Sequence, residues 1–323
     1  RSLLAGEKSI LLDAVPPTDA YSNNYGNIGI RPGDLILIIQ MQGALINYNN
    51  DNRYGSGLTN SGTDNLGGTG YTDIGFSGKF EYVIALNAVP ITGGTLNFRG
   101  GAVGGGVVNE YVNAAPTGTR GQRRFQIVRV PQYSNLTLTS DVTTVPYNGR
   151  AGGVIAFDVA GNMNFNGFKI DASEKGFRGG FGPVAGSANN TNSVYVTGSG
   201  STTSVGKGEG IAGTPRYMFD GYKDFDNIDE GLPGGSYGKG APANGGGGGN
   251  DHNAGGGGGG NGGQGGVGGL GWEGHGAPNT YPNGGRPGSL VPTDITRLIM
   301  GGGGGGGDAN NATTGVKGGV GGG

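Results

Sequence analysis

"GGVIAFDVAGNMNFNGFKIDASEKGFRGGFG", residues 152–182, is where the fold is decided. Ile155, Phe157 and Val159 alternate with smaller or polar neighbours, Met163 and Phe165 repeat the alternation, and Phe168 with Ile170 repeats it again. A period of two sends successive side chains to opposite faces, the mark of short strands. Gly161-Asn162 and Asn166-Gly167 are turn pairs, because Asn and Gly tolerate the positive φ that tight turns need. The stretch reads as a β-meander or as the first rungs of a solenoid, and spacing alone leaves both open. Beyond Gly176 the apolar content falls away and ordinary globular composition does not return.

Upstream, "GDLILIIQMQGALINYN" follows a turn at Pro32-Gly33-Asp34 with a continuous apolar run from Leu35 to Ile39. Short, β-branched and bounded by turn residues, it predicts a strand buried on both faces. "KFEYVIALNAV", "GTLNFRG", "GVVNEYV", "RRFQIVRVPQY" and "NLTLTSDVTTVPY" add further strand signals, and helix signals are nearly absent. Residues 1–150 therefore predict an antiparallel β-sandwich or barrel. Within it, residues 47–79 lack apolar periodicity and are dense in Asn, Gly, Ser and Thr, which predicts a long surface loop.

Glycine makes up 80 of the 323 residues, and the runs at 245–249, 255–260 and 301–307 carry no side chain. Such runs read as flexible linker, since ordering a glycine costs about 1 to 2 kcal/mol of backbone entropy with no apolar area in return. The opposing reading uses the missing Cβ: backbones approach closely and extended polyproline-II-like strands bond sideways to one another. The connectors "NDHNA", "LGWEGHGAPNTYPNGGRPGSLVPTDITRLIM" and "DANNATT" supply the Asn, Asp and Pro that turns between such strands need.

The formal net charge of -2 and pI near 5.7 provide no sequence-wide pull toward nucleic acid or an anionic membrane. Arg120, Arg123, Arg124 and Arg129 form the one basic cluster and read as a solvated strand edge. The absence of cysteine excludes a disulfide framework and thiol chemistry. No apolar run reaches transmembrane length, because Gln40, Gln42 and Gly43 interrupt the longest. "SLLAGEKSILLDAV" is too short and too charged for a complete secretory signal, and "GVKGGVGGG" stops inside a glycine pattern. The expectation is a piece of a longer protein, truncated at its C-terminal end.

The ordered succession of "GDLILIIQMQGALIN", "FQIVRVPQYSNLTLTSDVTTVPYNGRAGGVIAFDVAGNMNFNGFKIDASEKGFRGG", "GKGEGIAGTPR" and the polyglycine segments resembles the N-terminal region of large secreted, glycine-rich bacterial surface proteins. Many of these are gliding-motility-associated or type IX secretion substrates. The resemblance implies export across the outer membrane, display on the cell surface, and adhesion or gliding. It also implies a surface polysaccharide or other cell-surface ligand as partner, with the outer-membrane secretion or motility machinery. The glycine portion is also similar, by composition, to the polyglycine-II bundles of phage tail-fibre adhesins.

Chemistry-bearing residues are sparse. "DGYKDFDNIDEG", residues 220–231, clusters Asp220, Asp224, Asp226, Asp229 and Glu230. Asp224, Asp226 and Asp229 are candidate calcium ligands, since calcium takes clustered carboxylate oxygens, although Ile228 breaks the EF-hand pattern. The alternative is a solvated acidic turn. Trp272, His275 and Tyr281 are candidate ligand-binding residues, with aromatic faces to stack on a sugar ring or to cover the end of the glycine bundle. His252 and His275 have no zinc-ligand spacing, and "GKGEG" and "GFRGG" read as turns. Lys169, Asp171, Glu174, Lys175 and Arg178 follow the ladder and would serve proton abstraction in a polysaccharide-degrading solenoid, or form a solvated face.

The expected architecture is all-β: an N-terminal antiparallel domain (1–150), a short β-ladder or solenoid (151–175) and a glycine-rich polyglycine-II-like bundle (176–323). The expected function is non-enzymatic: adhesin or gliding-motility component, this segment acting as tip or rigid stalk. A filament subunit or export-channel substrate, and a surface polysaccharide-degrading enzyme, are the alternatives.

Overall fold

The computed structural model describes residues 1–15, 25–55, 73–181, 194–198, 205–221, 224–226, 231–250, 252–271, 284–292, 294–309, 317–319 and 321–323. Among them there is no α-helix, and none is long and apolar enough to cross a membrane. The chain is all-β. Part of the 47–79 segment, from 56 to 72, lies outside the described residues.

Five strands form one antiparallel sheet in the order β1-β4-β3-β2-β5. They are β1 (Ser9–Leu12), β2 (Leu35–Gln42), β3 (Phe80–Ala85), β4 (Gly94–Arg99) and β5 (Arg124–Val130). β2 is buried on both faces, as its continuous apolar run requires. Ile36 and Ile38 pack with Leu3, Ile10, Leu96, Phe98 and Tyr111 on one side. Leu37, Ile39 and Met41 pack on the other with Phe177, Val196, Ile211, Leu232, Val291 and Met300, all drawn from the glycine-rich half.

The glutamines that interrupt the apolar run are fully buried. They mark a register shift between β2 and β5 at Gln40/Gln42. The Gln40 amide donates to the carbonyls of Gln42, Val112 and Arg124 at 2.7, 2.8 and 3.0 Å and accepts the Val112 N–H at 2.7 Å. A bulge leaves backbone groups unpaired, and this side chain replaces the missing ladder bonds.

After β5 the pairing changes to parallel. β6 (Gln132–Tyr133) pairs with β8 (Asp158–Val159), and β7 (Leu136–Thr137) pairs with β9 (Met163–Asn164). A parallel bridge joins Val142 to Ile170. Residues 26, 27 and 28 apart meet along this ladder, at Gln132–Asp158, Asn135–Asn162 and Asp141–Lys169. One coil therefore lies on the next, as in a solenoid, and the meander is not formed. The Asn166-Gly167 turn is present, with φ of 50° and 83° and the Phe168 N–H on the Phe165 carbonyl at 2.8 Å. It bends the second coil without pairing its own flanks.

The glycine runs bond backbone to backbone with a repeat of three residues, where a β-strand repeats every two. Gly301 and Gly304 donate to Gly322 and Gly319, Gly302 and Gly305 to Gly260 and Gly257, and Gly303 and Gly306 to Glu209 and Gly206. Successive residues of one run thus address three different neighbours in turn. Run directions are mixed, since Gly246 and Gly249 donate to Gly303 and Gly306 in parallel. A Cβ at Gly302 would stand 1.8 Å from the Asn244 oxygen, and one at Gly303 1.9 Å from the Arg178 oxygen.

A net backbone hydrogen bond contributes about 0.5–1.5 kcal/mol, and ordering a residue costs about 1–2 kcal/mol, so the runs do not stabilise themselves by backbone bonding alone. The apolar connector residues packed on β2 tip the balance, each contributing about 1.5–3 kcal/mol on burial.

Candidate functional site

Three short strands are antiparallel in the order β10 (Gly179–Gly180), β11 (Tyr217–Phe219) and β12 (Asp224–Asp226), and the last carries two of the acidic residues singled out in the sequence, Asp224 and Asp226. Tyr217 stands opposite Asp226, and Phe219 opposite both Asp224 and Gly179. The Phe181 N–H extends the ladder to the Tyr217 carbonyl at 3.3 Å. Alternation buries Met218 completely and leaves Tyr217 and Phe219 part-exposed. Asp224 and Asp226 stand beside them with side chains 46% and 49% exposed.

The glycine at 179 admits the run 317–319 onto this face, for a Cβ there would meet the Gly318 oxygen at 1.9 Å. That approach delivers Lys317, whose Nζ lies 2.6 Å from Asp224 Oδ1 and 4.6 Å from the Phe219 ring centre. Arg216 pairs with Asp226 (Nε–Oδ1 2.9 Å) while its guanidinium covers the Tyr217 ring at 5.0 Å. Its pKa is raised, chiefly by that hydrogen bond to Asp226. The Phe181, Tyr217 and Tyr237 rings continue the strip at centroid distances of 5.8 and 6.0 Å.

Each of the two carboxylates is thus held by a cation that also caps an aromatic ring. A calcium ion would have to displace Arg216 and Lys317 to reach Asp224 and Asp226. The third proposed ligand, Asp229, lies outside the described residues, as do Trp272, His275 and Tyr281. No cluster of three or more His, Asp or Glu occurs among the described residues. On the solenoid ladder, Lys169 Nζ is 2.8 Å from Asp171 Oδ2. Hydrogen bonds from Lys169 and then Ser173 hold Asp171 well below the usual carboxylate range.

Residues read as turns in the sequence instead place charges inside the glycine region. Arg178, from "GFRGG", and Glu209, from "GKGEG", form a bidentate pair at 2.9 and 3.0 Å with side chains only 2% and 0% exposed. Glu209 also accepts the Thr214 hydroxyl at 2.6 Å and the Arg178 N–H at 3.1 Å. Gln42 of β2 donates to Thr214 Oγ1 at 3.0 Å, so the pair is tied to the sheet. Burial pulls the Arg178 guanidinium down, but the facing carboxylate outweighs it and its pKa is raised. Lys207 is fully buried with no carboxylate beside its Nζ among the described residues; the Nζ donates to the carbonyls of Tyr195, Gly238 and Gly240 and lies 4.2 Å from the Tyr54 ring centre. The readable signal was a charge alternating with glycine, Lys207-Gly208-Glu209, which a strand packed on bare backbone can bury and a solvated turn need not contain.

No family model, curated protein or solved structure matches this chain.

Burial lowers the Lys207 pKa well below its ordinary value. Burial first, and then the Arg286 charge, lower that of Lys239 to about 7. An unfolded lysine holds its proton up to about pH 10.4, so between pH 7 and about 9.5 these two sites bind more protons unfolded than folded, and above that the buried Tyr54, Tyr111 and Tyr147, whose pKa values burial raises, oppose them. Stability therefore rises with pH across that window, with a ceiling of about 1.4 kcal/mol per pH unit for each lysine. Urea midpoints measured at pH 7 and pH 9.5 should increase, and Lys239→Met should flatten part of the increase. A midpoint that falls over this range contradicts the assignment.

Proposed function

We propose that this chain is a non-enzymatic, exported structural and binding module, the tip or rigid stalk of a larger bacterial surface adhesin or gliding-motility component. Its glycine-rich half acts as a polyglycine-II-like bundle. The observation that carries the reading is the three-residue repeat of backbone bonding in the run 301–306, since a polyproline-II helix has three residues per turn and no internal hydrogen bonds. Strands of that kind hold one another through backbone groups alone, and the result is stiffness without a large apolar core. The long 47–79 segment and the glycine connectors then present the contact residues to a surface polysaccharide or other cell-surface ligand.

Amide hydrogen exchange on the isolated chain tests the bundle. The N–H groups of residues 301–306 should be protected by a factor of about a thousand or more, as groups that open only by sub-global unfolding are. Exchange at unfolded-chain rates would overturn the reading. Trp272 is the single tryptophan, so its fluorescence tests the contact surface without a label. A saturable emission shift on adding bacterial surface polysaccharide is the expected result, with binding read by calorimetry lost in Trp272→Ala and the unfolding midpoint unchanged; an emission spectrum that no polysaccharide moves counts against the adhesin.

A further inference from the structure

The bonding around the run 301–306 assigns it six neighbouring positions, of which five are filled. Its N–H groups point in three directions: 301 and 304 to the run 319–322, 302 and 305 to 257–260, 303 and 306 to 206–209. Its carbonyls should point in three more. Those of Gly301 and Gly304 accept from Phe177 and Gly180, and those of Gly303 and Gly306 from Gly246 and Gly249. The carbonyls of Gly302 and Gly305 have no donor among the described residues.

Each satisfied carbonyl also lies against the α-carbon of the strand beside its donor. A Cβ at Gly321 would stand 2.0 Å from the Gly301 oxygen, and one at Gly208 2.0 Å from the Gly303 oxygen. Gly302 and Gly305 keep that second contact, since a Cβ at Gly259 or Gly256 would stand 1.9 or 2.0 Å from their oxygens. Only the donor strand is missing. At that place lies a groove of about 360 Å³ lined by residues 258–261, 301, 302, 304, 319, 321 and 322, all glycine except Asn261. The N–H groups of Gly259, Gly319 and Gly322 in its walls also lack a partner among the described residues.

We propose that this groove receives an extended Gly-Gly-X strand from another polypeptide, completing the sixth position around the run 301–306. The inference rests on the bundle reading above and continues the same backbone interface. The occupant's chemistry follows from the walls. Bare backbone on three sides leaves no room for a Cβ on the inserted face, while unpaired carbonyls and N–H groups demand a strand that offers both. The edge run 262–271, "GGQGGVGGLG", shows the pattern such a strand takes. Its Gly265 and Gly268 donate inward, its Gly266 and Gly269 carbonyls accept from Gly258 and Gly255, and Gln264, Val267 and Leu270 face outward. An occupant of the groove needs glycine at the position that Gly265 and Gly268 hold, where a Cβ would stand 2.1 Å from a neighbouring carbonyl oxygen, while the positions of Gly266 and Gly269 have room for a Cβ and the third tolerates any side chain.

The test titrates the isotope-labelled full chain with a synthetic (Gly-Gly-Gln)4 peptide and, as control, (Ala-Ala-Gln)4. Saturable shifts and slowed exchange at the Gly259, Gly319 and Gly322 amides are expected with the first peptide only. Gly319→Ala and Gly322→Ala have open space for their methyl groups and should keep the fold, yet weaken peptide binding at least tenfold. No saturable change, equal binding of the alanine peptide, or unaltered binding by both folded variants overturns the proposal. Protection of the 301–306 amides in the peptide-free chain separates the two failures. Protected amides with no peptide response sink the groove alone, and unprotected amides sink the bundle with it.

Discussion

Alanine at Gly302, Gly303 or Gly305 destabilises the protein by about 3 kcal/mol or more, while alanine at Gly262 or Gly263 leaves stability unchanged or slightly raised. At the first three positions the added carbon would stand 1.8 to 1.9 Å from the carbonyl oxygens of Asn244, Arg178 and Gly247. Those oxygens belong to backbone that is itself bonded to further strands, so no flexible side chain can move aside. Relief requires separating two runs, which breaks hydrogen bonds at every third residue along both. At Gly262 and Gly263 nothing lies within 4 Å and φ is not positive, so alanine only lowers the entropy of the unfolded chain. Urea unfolding of the five variants measures the contrast. Similar midpoints for both groups would mean that the close backbone approach does not hold in solution.

Glu209→Ala is the second large effect, with an expected loss of about 3–5 kcal/mol because it takes the bidentate carboxylate from the buried Arg178 guanidinium and leaves Asp220 as the acidic group acting on it. Arg178 is 1% exposed and Glu209 not at all, and the Thr214 hydroxyl loses its acceptor as well. The double variant Arg178→Met, Glu209→Leu should recover most of that loss, since a buried ion pair gains little over an apolar pair of similar volume. A double-mutant cycle by urea denaturation reads the coupling directly. A single variant as stable as the parent would show that water or Asp220 satisfies Arg178 without Glu209, and the buried pair would then not hold the fold.

Parts of the fold were open to reading. The apolar run Leu35 to Ile39 required a strand covered on both faces, and β2 is one, because no solvent-facing side of a sheet tolerates five consecutive large apolar residues. The Asn166-Gly167 turn was equally plain from its residue types. The candidate site was less legible. Asp224 and Asp226 were visible as a cluster, but Lys317 and Arg216, which hold them, come from elsewhere in the chain, and no local pattern links a lysine in "GVKGG" to an aspartate 93 residues earlier. Arg178 and Glu209 passed as turn residues because charge beside glycine ordinarily signals solvent.

The sequence by itself determined an all-β chain, the doubly covered strand β2 and the positions where side chains give out, since these follow from local periodicity and steric preference. Tertiary structure alone decided that residues 26 to 28 apart stack in parallel as coils, and which glycine run neighbours which. A glycine carries no side chain to encode its partner. The choice among equivalent backbones falls to the few residues that do: the apolar connectors anchored on β2, and the buried Arg178, Glu209 and Lys207 that admit one register and penalise the rest.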